Sequence, residues 1–296
     1  MIVSASYRTD IPAFYGDWFR RRLEAGYAMV QNPYGGPPYR VDLTPQAVTG
    51  FVFWTRNAAP FAEQLAAVGA LDIPFAVQFT LTGYPRHLES SVPRAAEGVR
   101  QICALAERYG PRAVVWRYDP LLISSVTDAG FHRTNFDRLA AALEGRVDEV
   151  CVSFAQIYAK TRRNLAAWGR RHGETWDNPA IEVKCGLRAE LESMAQDHGM
   201  CLSVCSQADL GGRPAVCVDA ERLADLAGRP LKARRKGNRP GCLCAESRDI
   251  GAYDSCPHGC VYCYAVASRA RAQARHRAHD PTSEYLLPPK AAVAAG

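Results

Sequence analysis

Six short apolar runs, separated by stretches with helical periodicity, set the strongest limit on what this 296-residue chain can fold into. The runs are Ile2–Arg8, Phe51–Asn57, Phe75–Leu81, Ala113–Asp119, Glu149–Phe154 and Met200–Cys205. Each has the length and apolar continuity of a strand buried on both faces. Between and around them, apolar residues recur at helical spacing over 12–25, 60–69, 93–109, 134–145, 160–171 and 186–198. On the first of these, Phe14, Trp18, Phe19 and Leu23 share one face. Strands alternating with helices bury their apolar faces in a parallel sheet, so the pattern predicts an α/β fold, a (β/α) barrel or partial, TIM-like barrel. A flat doubly wound sheet is the rival. No G-x-G-x-x-G follows a strand and there is no P-loop, which argues against a dinucleotide fold. The stretch Asn32-Pro-Tyr-Gly-Gly-Pro-Pro38 predicts a hairpin over 27–43, outside the main fold.

Reactive groups in parallel α/β folds gather beyond the carboxyl ends of the strands. Those ends carry Arg8 and Asp10; Thr55, Arg56 and Asn57; Gln78 and Thr80; Arg117, Tyr118 and Asp119; and Ser153 and Gln156. With Trp54 and Trp116 framing it, such a ring suits an anionic or strongly hydrogen-bonding ligand. Its competing explanation is structural, with Arg8–Asp10 and Arg117–Asp119 as ion pairs knitting the strands.

The eleven cysteines are an odd number. No basic segment followed by an apolar stretch opens the chain, and no run reaches the ~18–20 apolar residues of a membrane span. The expectation is a cytoplasmic protein with no membrane partner, in which cysteines serve metal or redox chemistry. Five of them fall between Cys242 and Cys263. The densest motif, Cys256-Pro-His-Gly-Cys260-Val-Tyr-Cys263, puts three thiols in one glycine-bearing turn. A cubane [4Fe–4S] cluster takes one ligand per iron, so three local thiolates leave one iron open. Zinc on the same cysteines with His258 is the alternative. A second metal site is expected on Cys242 and Cys244 with Cys205 and Cys217. Four thiolates there would saturate another [4Fe–4S] cluster or a zinc ion, with Cys201 as a substitute for Cys205. Cys103 and Cys151 lie among apolar residues and read as buried small hydrophobes. Cys185 has no evident partner.

From Gly228 to His279, eleven Lys/Arg face three Asp/Glu, a net of +8 that leaves about −2 for the rest of a chain carrying +6. The expected organisation is a barrel-like domain over 1–227. A basic linker (228–240), the cysteine segment and an arginine-rich helix over Tyr264–His279 then complete 228–296, packed on the barrel mouth, with a loosely held tail after Pro281.

The stretches Ser4-Ala-Ser-Tyr-Arg-Thr-Asp-Ile-Pro12, Phe53-Trp-Thr-Arg-Asn57, Trp116-Arg-Tyr-Asp-Pro120 and the block from Cys242 to Ala265 resemble the DUF1848 family of uncharacterised bacterial proteins. The CX3CX2C motif also resembles that of radical S-adenosylmethionine (SAM) enzymes, and its Cys-Pro-His-Gly-Cys-x-Tyr-Cys-Tyr-Ala block is similar to the spore photoproduct lyase group, which repairs a DNA lesion. The resemblance implies that the amino and carboxylate groups of SAM chelate the open iron and that Tyr262 borders the adenine. Taken with the polar ring, it implies cofactor contacts from Tyr262, Tyr264, Asn57, Gln78, Thr80 and Ser153, with Arg8, Asp10, Arg117 and Asp119 acting on a small-molecule or peptide substrate. An electron donor such as flavodoxin or ferredoxin is implied as partner. The departure is one of order: the motif follows the first strand in radical-SAM barrels and all six runs here, which a circular permutation reconciles if 249–255 forms a further strand. The alternative function is a metal-stapled nucleic-acid-binding or DNA-repair protein that uses the basic C-terminal region.

Overall fold

The computed structural model describes residues 1–288. Its centre is a parallel sheet of eight strands: β1 (Ile2–Ala5), β2 (Gly50–Thr55), β3 (Phe75–Thr80), β4 (Val114–Leu121), β5 (Glu149–Phe154), β6 (Cys201–Val204), β7 (Arg213–Pro214) and β8 (Ser247–Asp249). In space they run β7-β6-β5-β4-β3-β2-β1-β8. The chain therefore lays down seven neighbours in sequence order and returns with β8 to pair in parallel beside β1, Ile2 opposite Ser247 and Ser4 opposite Asp249. The six apolar runs are all strands. β7 has no sequence forecast because it is short and lacks an apolar run. The expected strand over 249–255 lies two residues early, ending at Asp249, and 250–255 is loop.

Alternation along each strand separates two faces. One face presents Phe51, Phe53, Val77, Phe79, Trp116, Tyr118, Val150 and Val152 to a single core. That core also takes in Trp18 and Phe19 of α1 (Gly16–Ala25), Leu65 of α2 (Ala62–Ala70), Ile102 of α3 (Ala95–Tyr109), Phe136 and Leu139 of α4 (Ala129–Leu143) and Leu191 of α6 (Ile181–Asp197). These helices share one face of the sheet, whereas a doubly wound sheet would divide them between two. Each fully buried aromatic contributes about 1.5–3 kcal/mol, which makes this face the main source of stability. α5 (Ala159–His172) adds Leu165 and Trp168 to a satellite cluster with Tyr84, Leu122 and Tyr262.

The other face is lined by smaller residues: Ile2, Val52, Ala76, Val115 and Cys151. It is covered near the amino ends by Leu223 of α7 (Ala220–Ala227), a helix without a sequence forecast. Gly50 permits this approach, because a Cβ there would stand 2.8 Å from Leu223 Cδ1. The hairpin Tyr27–Val30/Tyr39–Asp42 is a separate antiparallel pair, as expected. The first predicted helix breaks at Tyr15, leaving a single turn, Ile11–Phe14, before α1. The arginine-rich helix is shorter than its forecast: α8 covers Arg269–Arg277, and Tyr264–Ser268 is not helical. The described part of the tail is held rather than loose. Trp18 Nε1 donates to the Ser283 carbonyl (3.0 Å), Met29 N to that of Glu284 (2.9 Å), and Leu286 is buried. The rest of that forecast, 289–296, lies outside the described residues. Among the described residues no helix is long and apolar enough to cross a membrane.

Candidate metal and cofactor site

Two groups of cysteines occupy different surroundings. The first is the loop after β8, with Cys256, Cys260 and Cys263 all partly buried. Its turn depends on Gly259, whose φ is +77° and whose missing Cβ would meet Ser90 Oγ at 2.5 Å. The loop is laced to the segment after β3: Ser91 N donates to His258 O (2.8 Å) and Val261 N to Leu88 O (3.1 Å). His258 is buried, with Nε2 2.8 Å from Asp10 Oδ2 and Nδ1 3.1 Å from Ser91 O. Both ring nitrogens are thus engaged, so His258 anchors the loop and is not free to join zinc with these cysteines. Asp10 also accepts from Thr55 Oγ1 (2.8 Å) and Arg56 N (2.8 Å), which ties the loop to β2.

Burial pushes all three loop thiols up, Cys260 to about 12; charge on Cys263 and Cys260 adds to this at Cys256 and charge on Cys263 adds to it at Cys260, whereas the Ala265 and Val266 amides oppose it at Cys263. Arg56 beside Cys260 works in the opposite direction. The Arg56 guanidinium donates to Glu89 Oε1 (2.8 Å) and to the Tyr262 hydroxyl (2.7 Å), and the Tyr262 hydroxyl donates to Glu89. Cys263 Sγ accepts from Ala265 N at 3.3 Å. Three desolvated thiols form a site whose charged state needs a cation.

The second group lies on the sheet face opposite the helix-side core, called the inner face below. Cys151, Cys205 and Cys217 bring their sulfurs within 4.8 Å of one another, in the arrangement of a metal site. Cys217 and Cys205 are 3.6 Å apart. Hydrogen bonds from Cys151, Cys205 and Cys244 hold Cys217 well below the usual thiol range. Cys244 Sγ itself accepts from Val218 N at 3.3 Å. Cys242 adjoins Cys244 but stands outside the close triad. Buried Arg117 donates to Cys217 Sγ (3.0 Å) and Cys151 Sγ (3.4 Å), and Arg239 of the basic linker to Cys205 Sγ (3.3 Å). Cys205 rather than Cys201 belongs to the group, since Cys201 Sγ takes its hydrogen bond from Arg213.

Cys151 corrects its reading as a small hydrophobe. The signal was available, because period two puts Cys151 on the face of Ser153 and opposite to Val150 and Val152.

The polar ring divides into three fates. Arg117, Asp119, Gln78 and Ser153 meet beside the second thiol group: Arg117 donates to Gln78 Oε1 (3.1 Å) and Asp119, Ser153 donates to Asp119, and Gln78 Nε2 to Cys217 O (2.9 Å). The expected Arg117–Asp119 ion pair is present, and the guanidinium also lies 5.0 Å from the Trp54 ring centroid.

Arg8 does not pair with Asp10. It pairs with Asp249 at 2.8 Å, and the same carboxylate accepts from Ser4, Ser6, Tyr7 N and Gly251 N. Asp249, at the end of β8, thereby locks β8 to β1. Asn57 accepts from Gln101, Gln156 from Tyr158, and the hydroxyl of the exposed Tyr264 donates to Tyr7 O. Thr80 lines a cavity of about 270 Å³ with Arg56, Thr82, Tyr84, Arg86 and Glu89.

Trp116 and Tyr118 leave the ring altogether, pointing into the helix-side core. The Tyr262 hydroxyl is committed to Arg56 and Glu89, and its ring is 6% exposed. Glu89 carried no sequence signal, since it acts from a loop.

Residues 2–265 match the family described as Domain of unknown function (DUF1848). The chain belongs to the DUF1848 family. No curated protein matches it. The DUF1848 span takes in both thiol groups and every residue of the ring, and stops before α8. On α8 of this DUF1848 chain, Arg269 donates to Ser91 Oγ (2.9 Å), Arg271 to Asp254 (3.2 Å) and Arg275 to Tyr253 O (3.1 Å). Those three arginines are spent on the protein itself, which weakens the helix as a phosphate-binding face.

Proposed function

We propose that this DUF1848 protein is a radical SAM enzyme whose [4Fe–4S] cluster rests on Cys256, Cys260 and Cys263. The observation that carries the reading is the loop itself, where one short segment holds three thiols whose burial opposes their charged state, a cost that a cationic cluster relieves. The residues fit the group: the hydrogen bonds to their sulfurs among the described residues come from backbone amides, Ala265 N among them, and the nearby imidazole is occupied elsewhere. When bound, such a cluster supplies the electron that cleaves SAM and so a 5′-deoxyadenosyl radical able to take hydrogen from a substrate.

Strand order supports the same reading. Counted from β8, the thiol loop follows the first strand of a sheet that continues through β1 to β7, as a circularly permuted partial barrel would have it. The protein's own part is placement. Asp10 and His258 fix the loop's position against β2, and Arg56 sets a positive charge beside Cys260. Arg117, Asp119 and Ser153 offer the inner face a polar site for substrate, and the helix-side core closes the opposite face to water.

Anaerobic reconstitution with iron and sulfide, followed by EPR of the reduced protein with and without SAM, tests the proposal. A cluster signal that shifts on adding SAM is expected. A signal indifferent to SAM, or no iron bound at the loop, overturns it.

A further inference from the structure

We infer that the inner-face thiol group is a single-ion zinc site built from Cys151, Cys205, Cys217 and Cys244, and not a second iron–sulfur cluster. The inference stands on sulfur spacing. Four thiolates about 2.3 Å from one tetrahedral zinc lie roughly 3.8 Å from each other. Cys205 and Cys217 are 3.6 Å apart, and all three members of the triad lie within 4.8 Å. A cubane places each thiolate on a different iron and so holds its ligands wider apart than one shared ion does. Cys244, outside the triad, is the fourth ligand because its side chain meets Cys217 and it is 4% exposed, whereas the Cys242 side chain is only partly buried and meets Cys244 and not Cys217.

The charges agree with this assignment. A divalent ion with four thiolates carries two negative charges, costly to bury unless paired. Two guanidiniums already touch these sulfurs, Arg117 on Cys151 and Cys217 and Arg239 on Cys205. The ligands come from β5, the ends of β6 and β7, and the segment before β8. One ion there would fasten both ends of the sheet, where the direct backbone link is Ala245 N to Val218 O (2.9 Å). The basic linker thus has a function in the fold: it delivers Arg239.

The test uses the full chain with Cys256, Cys260 and Cys263 all replaced by alanine, so that it does not depend on the loop cluster. Metal analysis of this protein, grown with zinc and iron both present, is expected to find about one zinc per chain and iron at background. Adding Cys151→Ser is expected to lower zinc at least tenfold, while Cys242→Ala leaves it unchanged. Cobalt substitution of the triple variant gives a readout that does not depend on the folding of Cys151→Ser: strong sulfur-to-cobalt charge-transfer absorption with the intensity of four thiolates is expected. Iron with sulfide in the triple variant, the absence of both metals, a spectrum of two thiolates or fewer, or zinc that follows Cys242 instead of Cys151 would each overturn the assignment. Loss of SAM-dependent EPR change in the unmutated protein, with zinc retained, would count against the radical reading alone.

Discussion

The two thiol groups of this chain solve the same problem by opposite means. In the loop after β8, three cysteines share one segment because they are near in sequence, and their sulfurs do not form a close triad like that of the inner group. On the inner face, sulfurs from position 151 to position 244 are close because the sheet brings four segments together. The loop thiols are partly buried and, among the described residues, have no cationic side chain hydrogen-bonded to them. The inner thiols are buried and carry two arginines. A site written into a short segment needs only that segment to supply its ligands. A site assembled by the sheet depends on every strand in its place.

Substitutions separate the two. The largest effect is expected from Cys260→Ala, which should abolish both loop-bound iron and the SAM-dependent EPR change while leaving metal at the inner group intact, as read by metal analysis on one preparation. If both metals disappear together, the two groups are one site and the comparison fails.

Next is Arg117→Met. It removes the guanidinium shared by Cys151, Cys217 and Asp119 and leaves buried negative charge unpaired, at a cost of about 3–5 kcal/mol in urea unfolding. A loss below 1 kcal/mol would mean that the thiols do not depend on this charge.

His258→Phe keeps the ring's bulk against Phe14, 4.6 Å away, but drops the hydrogen bonds to Asp10 and Ser91. Asp10 retains Thr55 and Arg56 N, so a loss of about 1–3 kcal/mol is expected, with iron binding weakened and zinc content unchanged.

The smallest effect belongs to Tyr262→Phe, about 1 kcal/mol for the hydroxyl on Glu89 and Arg56. SAM affinity by calorimetry should stay within twofold, because that hydroxyl is already committed inside the protein. A large drop would restore Tyr262 as a direct cofactor contact.

Much of the fold was legible because burial on both faces leaves continuous apolar runs, and all six of these became strands. β7 escaped and β8 was expected two residues late because Arg213-Pro214 and Ser247-Arg248-Asp249 owe their strand state to neighbours and not to their own side chains. The loop thiols could be read directly as a motif. Cys205, Cys217 and Cys244 were reachable as spare thiols. Cys151 required the alternation of β5 to be taken as seriously as its apolar neighbours. The ring at the strand ends was legible as a set but not in its pairings. Arg8 turned to Asp249 and Asp10 to His258, partners more than 200 positions away.

Sequence alone therefore determined the alternating α/β architecture, the family and the loop that can carry three ligands, since each rests on short-range pattern. Tertiary structure decided which face each strand residue meets, that the last strand lies beside the first, and that Arg117 and Arg239 stand over Cys151, Cys205 and Cys217. Those outcomes depend on packing and charge between segments that are far apart in the chain, where local pattern carries no information about the partner.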